Sequence, residues 1–317
     1  MALVCTLFIT DFFTRSESQR RVATSVDDAL INGTLALHLL EAAIREAGAG
    51  ITHQDLLGCS LALGNGVTLS DLAPVVINHP DVPAGDASTD TVLMVSGNDF
   101  GSPDGYLIGA AIGSSYPVTP ASFFTPGDRV IAAPRIPCST VLLLDQVASV
   151  MPPTVEVENG ASNVSGGKLY ALGRSPSVVG YAVRDGQLTR CDLLARSDCL
   201  SDASVWEPVA GGIVSLKAQY GIDTGASVDG TVETYASTPP GGYSIQCNWA
   251  HVLTVRIALA ARGVQEERST IPLWTTPVEW ADFDLSQTDA NWQNFHYRFF
   301  QVLAPIRGLL SGGVQGC

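Results

Sequence analysis

Residues 21–50, RVATSVDDALINGTLALHLLEAAIREAGAG, decide the fold. Val22, Val26, Ala29, Leu30, Gly33, Leu37, Leu40 and Ile44 recur at steps of three or four, the spacing that lines up side chains along one stripe of an α-helix. No proline interrupts the chain from Leu3 to Ala47, so one helix well beyond the usual length is expected there. Gly33 lies inside it at a cost of about 1 kcal/mol relative to alanine, and the GAG of residues 48–50 supplies a flexible stop.

Toward the N-terminus, residues 1–13 read MALVCTLFITDFF, apolar apart from Thr6, Thr10 and Asp11. As a helix they reach roughly 20 Å, short of the ~30 Å hydrocarbon core of a bilayer. No basic run precedes them and no small-residue cleavage site follows. They read as the second half of a membrane helix; a buried N-terminal helical turn is the plainer alternative.

Past Gly50 the period changes. TDTVLMVSG, DRVIAAP, STVLLLDQV, GKLYALG, SVVGYAVRDGQLTRC, IVSLKAQYGID, GTVETYA and HVLTVRIALAAR are short β-type runs bounded by Gly, Pro, Asp or Asn. RDGQ at 184–187 places Asp-Gly between two such runs and reads as a hairpin turn. FHYRFFQVLAPI reads as a closing strand broken by Pro305. The fold class expected is α+β: a long N-terminal α-helix leading into a β-rich globular head of antiparallel strands. The helix takes residues 1–50, apolar over 1–13 and amphipathic over 14–48. The head takes 51–317, with the loop NGASNVSGG at 159–167 as a candidate divider between two lobes.

Composition agrees. In a chain of 317 residues, 46% are hydrophobic and 15% charged, enough for a sizeable core. The net charge is −14, and Lys168 and Lys217 are the only lysines. No basic stripe survives that balance, which argues against nucleic acid as a partner. The seven cysteines form no C-x-x-C and the five histidines are scattered, so a zinc site has little support. Cys191 and Cys199 bracket a short polar loop. A disulfide there stabilises by about 2–3 kcal/mol in the chain-entropy model; buried thiols are the alternative.

One stretch suggests chemistry. Asp223-Thr224-Gly225-Ala226-Ser227 has the spelling of an aspartic protease loop. That mechanism needs two carboxylates sharing a proton, and the chain has no second D-[TS]-G. A β-hairpin whose turn is TGASVDG is the simpler reading. Asp223, Ser227 and Asp229 are also weak candidates to hold Ca²⁺, lacking EF-hand spacing and a closing glutamate. Asp99 and Asp104 sit in a Gly/Pro loop and read as solvated. His251 and His296 read as structural, and the five tryptophans, 206, 249, 274, 280 and 292, as packing or as a partner face. No G-x-S-x-G, Walker A or H-E-x-x-H occurs.

Three collinear stretches resemble the PilW family of type IV pilus minor pilins. In residues 27–60 the matching positions are Asn32, Gly33, Ala36, Leu37, Leu39, Leu40, Ile44, Arg45, Ala47 and Gly48, then Gly58-Cys59. In residues 205–235 they are Val209, Gly212, Ile213, Leu216, Tyr220, Gly221, Asp223 and Thr224. The third stretch is VLTVRIALAARG followed by NWQNFHYRFFQVLAPIRGLL. Residues 61–204 carry little of the resemblance.

The resemblance implies a structural subunit without catalysis or cofactor. Leu3, Val4, Leu7, Phe8 and Phe12 would lie in the membrane and then in the filament core. Other minor pilins and the major pilin would be partners through that helix, at a pilus tip where the complex primes assembly and supports an adhesin. The site would be inner membrane and periplasm, then the extracellular fibre. A type II secretion pseudopilin shares this plan, and a free adhesin is a further alternative. Pilins begin after a leader, with Glu at the fifth mature position; MALVCTLFIT resembles the later part of that helix, so cleavage and N-methylation positions are not assigned. The expected disulfides are Cys59–Cys138 and Cys191–Cys199, then Cys247–Cys317, which leaves Cys5 as the odd thiol.

Overall fold

The computed structural model describes residues 2–98, 101–273, 277–306 and 317, without the side chains of residues 2–15, 18 and 19. Asp99, Trp274 and the end of the closing motif, residues 307–310, lie outside the described residues.

The periodic segment forms one helix, α1 (Ala2–Glu46). Strands follow: β1 (Leu61–Ala62), β2 (Thr68–Leu69), β3 (Val75–Ile77), β4 (Val92–Ser96), β5 (Tyr106–Leu107), β6 (Ser115–Pro117), β7 (Arg129–Ala133), β8 (Leu142–Met151) and β9 (Thr154–Val157). Then come β10 (Lys168–Gly173), β11 (Ser177–Arg184), β12 (Gln187–Asp192), β13 (Glu207–Gly211), β14 (Ile213–Ile222) and β15 (Thr234–Ala236). A short helix α2 (Ile245–Ala250), β16 (Val252–Arg262) and β17 (Tyr297–Pro305) close the chain. The molecule is α+β, and every strand pair except β1–β8 is antiparallel.

The strands make three sheets. The first runs β2-β1-β8-β7-β10-β5, with β9 joined to β8 and β6 to β9. The second runs β13-β12-β11-β4-β3 and the third β15-β14-β16-β17. The loop 159–167 connects β9 to β10, two strands of the first sheet. Asp185 and Gly186 take φ of 51° and 68° between β11 and β12. Positive φ at both turn positions matches the twist of the flanking strands, as the Asp-Gly pair foretells.

One large core joins α1 to all three sheets, from Ala29, Leu40 and Ile44 through Leu93, Tyr181 and Leu216 to Ile257 and Ala304. A second core, Ile108 to Ala171, fills the far part of the first sheet around Tyr116, Phe124, Val130 and Val155.

The buried stripe of α1 differs from the sequence expectation. Ala29, Ala36, Leu40 and Ile44 are buried, but Leu30 is 48% exposed. The reason is the closeness of the helix to β17. A Cβ at Gly33 would run into the Phe300 ring, and one at Gly263 into Ser25. Small residues therefore occupy the contact line, and Leu30 is turned to the flank. Gly33, which costs a free helix, is what lets this helix touch its sheet.

β17 ends at Pro305, where the sequence placed the break. The aromatic residues divide similarly between packing and rim. Trp206 and Trp249 are buried, and Trp280 and Trp292 are half-buried.

Candidate functional site: the helix-bearing sheet and its acidic loop

The third sheet carries α1 on one face. Asn32 approaches Gly212 on the β14 side of the helix, Ser25 covers Gly263, and Gly33 meets Phe300 of β17. The Ser25 hydroxyl also accepts from the Gln265 N–H at 3.3 Å. Around the helix from this buried line, Leu30, Ile31 and Leu35 stay exposed, at 48%, 64% and 46%. Three large apolar side chains on the outer face of a docked helix are surface that water does not favour. The expected filament residues Leu3, Val4, Leu7, Phe8 and Phe12 fall on the same helix, with side chains outside the described set. Among the described residues no helix is long and apolar enough to cross a membrane.

At the end of β14 the chain turns through residues 223–233 and returns as β15, pairing Tyr220 with Ala236. Asp223 organises this turn. Its Oδ1 accepts from the Gly225 N–H at 2.9 Å, and its Oδ2 from those of Asp229 and Gly230 at 2.7 and 3.0 Å. Burial alone would raise its pKa. The three N–H bonds, with His251 nearby, outweigh that and hold it below the usual carboxylate range. The Nδ1–H of buried His251 donates to the Asp223 carbonyl at 2.8 Å, and its ring stacks on Tyr243 with centroids 4.7 Å apart.

The loop's carboxylates differ from the set the sequence suggested. Asp223, Asp229 and Glu233 have oxygens within 4.8 Å of one another, and Ser227 in the same loop is exposed. Glu233 was missed because it sits on the returning limb, brought back only when the hairpin closes. Its Oε2 accepts from the Thr224 N–H at 2.7 Å, and Asp229 Oδ1 from the Thr231 N–H at 2.8 Å. Each carboxylate thus takes at least one backbone N–H, which ties it to the turn. The proton-sharing pair of an aspartic protease is not what this loop builds: Asp223 is spent on its own turn.

Other polar clusters are closed in the same way. Lys168 Nζ lies 3.2 Å from His53 Nε2, His53 Nδ1 lies 2.9 Å from the Tyr170 hydroxyl, and that hydroxyl donates to Asp55 Oδ2 at 3.0 Å. Lys168 completes the ring by pairing with Asp55 at 3.3 Å. Burial depresses His53, Asp55 opposes this and Lys168 adds to it. Ser70, His79 and Asp81 have the look of a hydrolytic triad. The Asp81 N–H, however, donates to His79 Nδ1 at 3.2 Å, which puts the ring proton on Nε2, 3.5 Å from the Ser70 hydroxyl. That tautomer cannot take the hydroxyl's proton. A cleft of about 310 Å³ lies between Asp86, Asp185, Arg262 and Gln287. Two of its charges are engaged: Asp86 accepts from the Asp185 and Gly186 N–H groups at 3.0 and 3.1 Å, and Arg262 pairs with Asp289 at 3.0 Å.

Disulfides link Cys59 to Cys138, Cys191 to Cys199, and Cys247 to Cys317. The first and third converge on α2. The Gln246 amide donates to Cys138 Sγ at 3.2 Å, and Gly58 packs under Ile245 and Trp249. The segment leaving α1 and the last residue of the chain are thus fastened at one spot.

α1 is a 45-residue helix with one side seated on the third sheet and Leu30, Ile31 and Leu35 exposed away from it. Residues 180–307 match the family model described as type IV pilus-assembly protein W, PilW. The match runs from within β11 through β17, and over that stretch the chain is similar to PilW-family pilus-assembly proteins. The second core, residues 108–171, lies wholly outside the matched range. The family is one of structural pilus-assembly proteins and is not known as enzymatic. No curated protein and no solved structure matches the chain.

Proposed function

We propose that the chain is a minor pilin, held in the inner membrane through α1 and then packed by that helix against other minor pilins and the major pilin. It acts at the pilus tip, where the complex primes assembly and supports an adhesin, with its acidic head in the periplasm and later outside the cell. The observation that carries this reading is α1 itself: small residues seat one face on the sheet, and Leu30, Ile31 and Leu35 stand on the other. A sister helix would remove those three side chains from water at about 25 cal/mol per Å² of apolar surface.

In this reading the acidic loop shapes the β14–β15 hairpin and needs no Ca²⁺, and the disulfides suit an oxidising compartment. Deleting residues 1–13 should leave a folded, soluble head that no longer enters fibres. Normal piliation by that deletion defeats the proposal. A type II secretion pseudopilin has the same helix-plus-head plan; loss of protein secretion with intact pili in a deletion strain would favour it. Chelation with EDTA should leave the melting temperature unchanged, whereas a rise on adding CaCl₂ would give the loop a metal.

A further inference from the structure

Strand β17 is the rim of the third sheet, with β16 on one side. The β16–β17 ladder has no register shift. At its two ends the Gly263 N–H donates to the His296 carbonyl at 2.8 Å, and the Ile306 N–H to the Leu253 carbonyl at 3.0 Å. In an antiparallel ladder alternate residues turn their backbone groups toward the partner. Even-numbered residues 298–304 therefore face β16, and Tyr297, Phe299, Gln301, Leu303 and Pro305 turn N–H and C=O outward. Pro305 fits this parity: having no N–H, it sits where the ladder needs none.

Among the described residues no backbone group pairs with the outward side of Phe299, Gln301 or Leu303. Gln301 is exposed and Leu303 is 51% exposed. The strand carries one charge, Arg298, which has no ion-pair partner among the described residues, and no acid. The described part of the loop that reaches β17 touches its face: Phe283 lies tilted against Phe299, and Trp280 donates to the Gln301 side chain while lying over Arg256. A long rim of this kind, without inward charge or bulge, is a template for another strand.

We propose that the rim of β17 accepts an extended segment of a neighbouring subunit in the same fibre, added as a further strand of the third sheet. The segment is apolar at alternate positions and brings a carboxylate to Arg298. Main-chain hydrogen bonds to Phe299, Gln301 and Leu303 hold it, and the alternate side chains select it. The proposal rests on the minor-pilin reading, which also decides against a second copy. Edge-to-edge pairing of two identical rims runs about a two-fold axis normal to the sheet. That axis reverses the direction of α1, which lies along the sheet, whereas helices bundled in one fibre must share a direction.

The backbone parity supplies the test. Gln301→Pro removes no ladder bond, only an outward N–H and the side-chain acceptor of Trp280, whereas Val302→Pro removes a ladder bond to Ile257 and serves as the unfolding control. Leu303→Lys leaves every backbone group in place and charges the rim, and Arg298→Glu opposes the carboxylate. Each full-length variant is expressed in the native host from the chromosomal locus. The readouts are piliation, the melting temperature of the purified protein, and photocrosslinking from p-benzoylphenylalanine at position 303. Expected are near-parental melting for Gln301→Pro and Leu303→Lys, and piliation lowered about tenfold or more in these and in Arg298→Glu. The position-303 crosslink should reach another pilus subunit and vanish when Gln301→Pro is added. Should Gln301→Pro melt like Val302→Pro, Leu303→Lys and Arg298→Glu decide alone. Normal piliation in the rim variants, with piliation lost on deleting the chain, overturns the strand proposal only. Piliation surviving that deletion overturns the minor-pilin reading as well.

Discussion

Replacing Gly33 by alanine separates a free helix from a docked one. In an exposed helix interior that change stabilises by about 1 kcal/mol, because alanine loses less backbone entropy than glycine. Here the added methyl would meet Cε2, Cζ and Cδ2 of Phe300, so the ring must leave its place or α1 must lift from β17. Overpacking of this kind costs about 1–3 kcal/mol. The net effect is a loss of up to about 2 kcal/mol, opposite in sign to the free-helix value. For a chain of this size, 1 kcal/mol moves the melting temperature by about 2 °C. Thermal unfolding of the parent, Gly33→Ala, Phe300→Leu and the double variant gives the whole cycle. Leucine removes part of the ring, so in its presence the alanine methyl finds room and its helix gain surfaces. A coupling of about 1 kcal/mol or more is expected between the two positions. If Gly33→Ala raises the melting temperature and the two changes simply add, α1 does not cross β17 at Phe300, and the docked-helix argument fails with it.

Three further outcomes follow from the polar groups and cross-links. Burial holds His53, His79 and His296 below the ordinary value of 6.5. The unfolded chain therefore binds more protons below that pH, and stability is full above it and falls as pH drops toward the folded values. Melting temperatures from pH 8 to pH 5 should decline over this range, less steeply in His53→Gln; a flat profile would refute the assignment. The depressed pKa of Asp223 adds a separate loss that begins only below about the ordinary aspartate value of 3.8. Asp223→Asn places an amide donor among three backbone N–H groups and should cost about 1–3 kcal/mol, with no change in peptide hydrolysis at acid pH. Peptide mapping without reductant should recover the three cystines, and serine at both 59 and 138 should cost about 4–5 kcal/mol in the chain-entropy model, against about 2–3 for the 191–199 pair.

Much of this molecule is local enough to be read from its residues. The 3.6-residue recurrence from Val22 to Ile44 determines a helix, because only a helix puts those side chains on one side. Asp185-Gly186 determines a hairpin, because few residue pairs tolerate positive φ at both turn positions. The TGASVDG turn follows from the same chemistry, as does the absence of a second D-[TS]-G to make it an active site.

What the sequence left undetermined depends on distance in space. Periodicity placed Leu30 in the buried stripe, but the closeness of β17 gave that line to Gly33 and Ala36, and nothing around Leu30 announces a strand nearly three hundred residues later. Pro305 ends β17 as its sequence suggested, but only the ladder's parity shows that its missing N–H falls on the open side. Glu233 joined Asp223 and Asp229 only through closure of the hairpin. Patterns set by neighbours along the backbone belong to the sequence; which face is crowded, which rim is open and which charges meet are settled when remote segments compete for the same space.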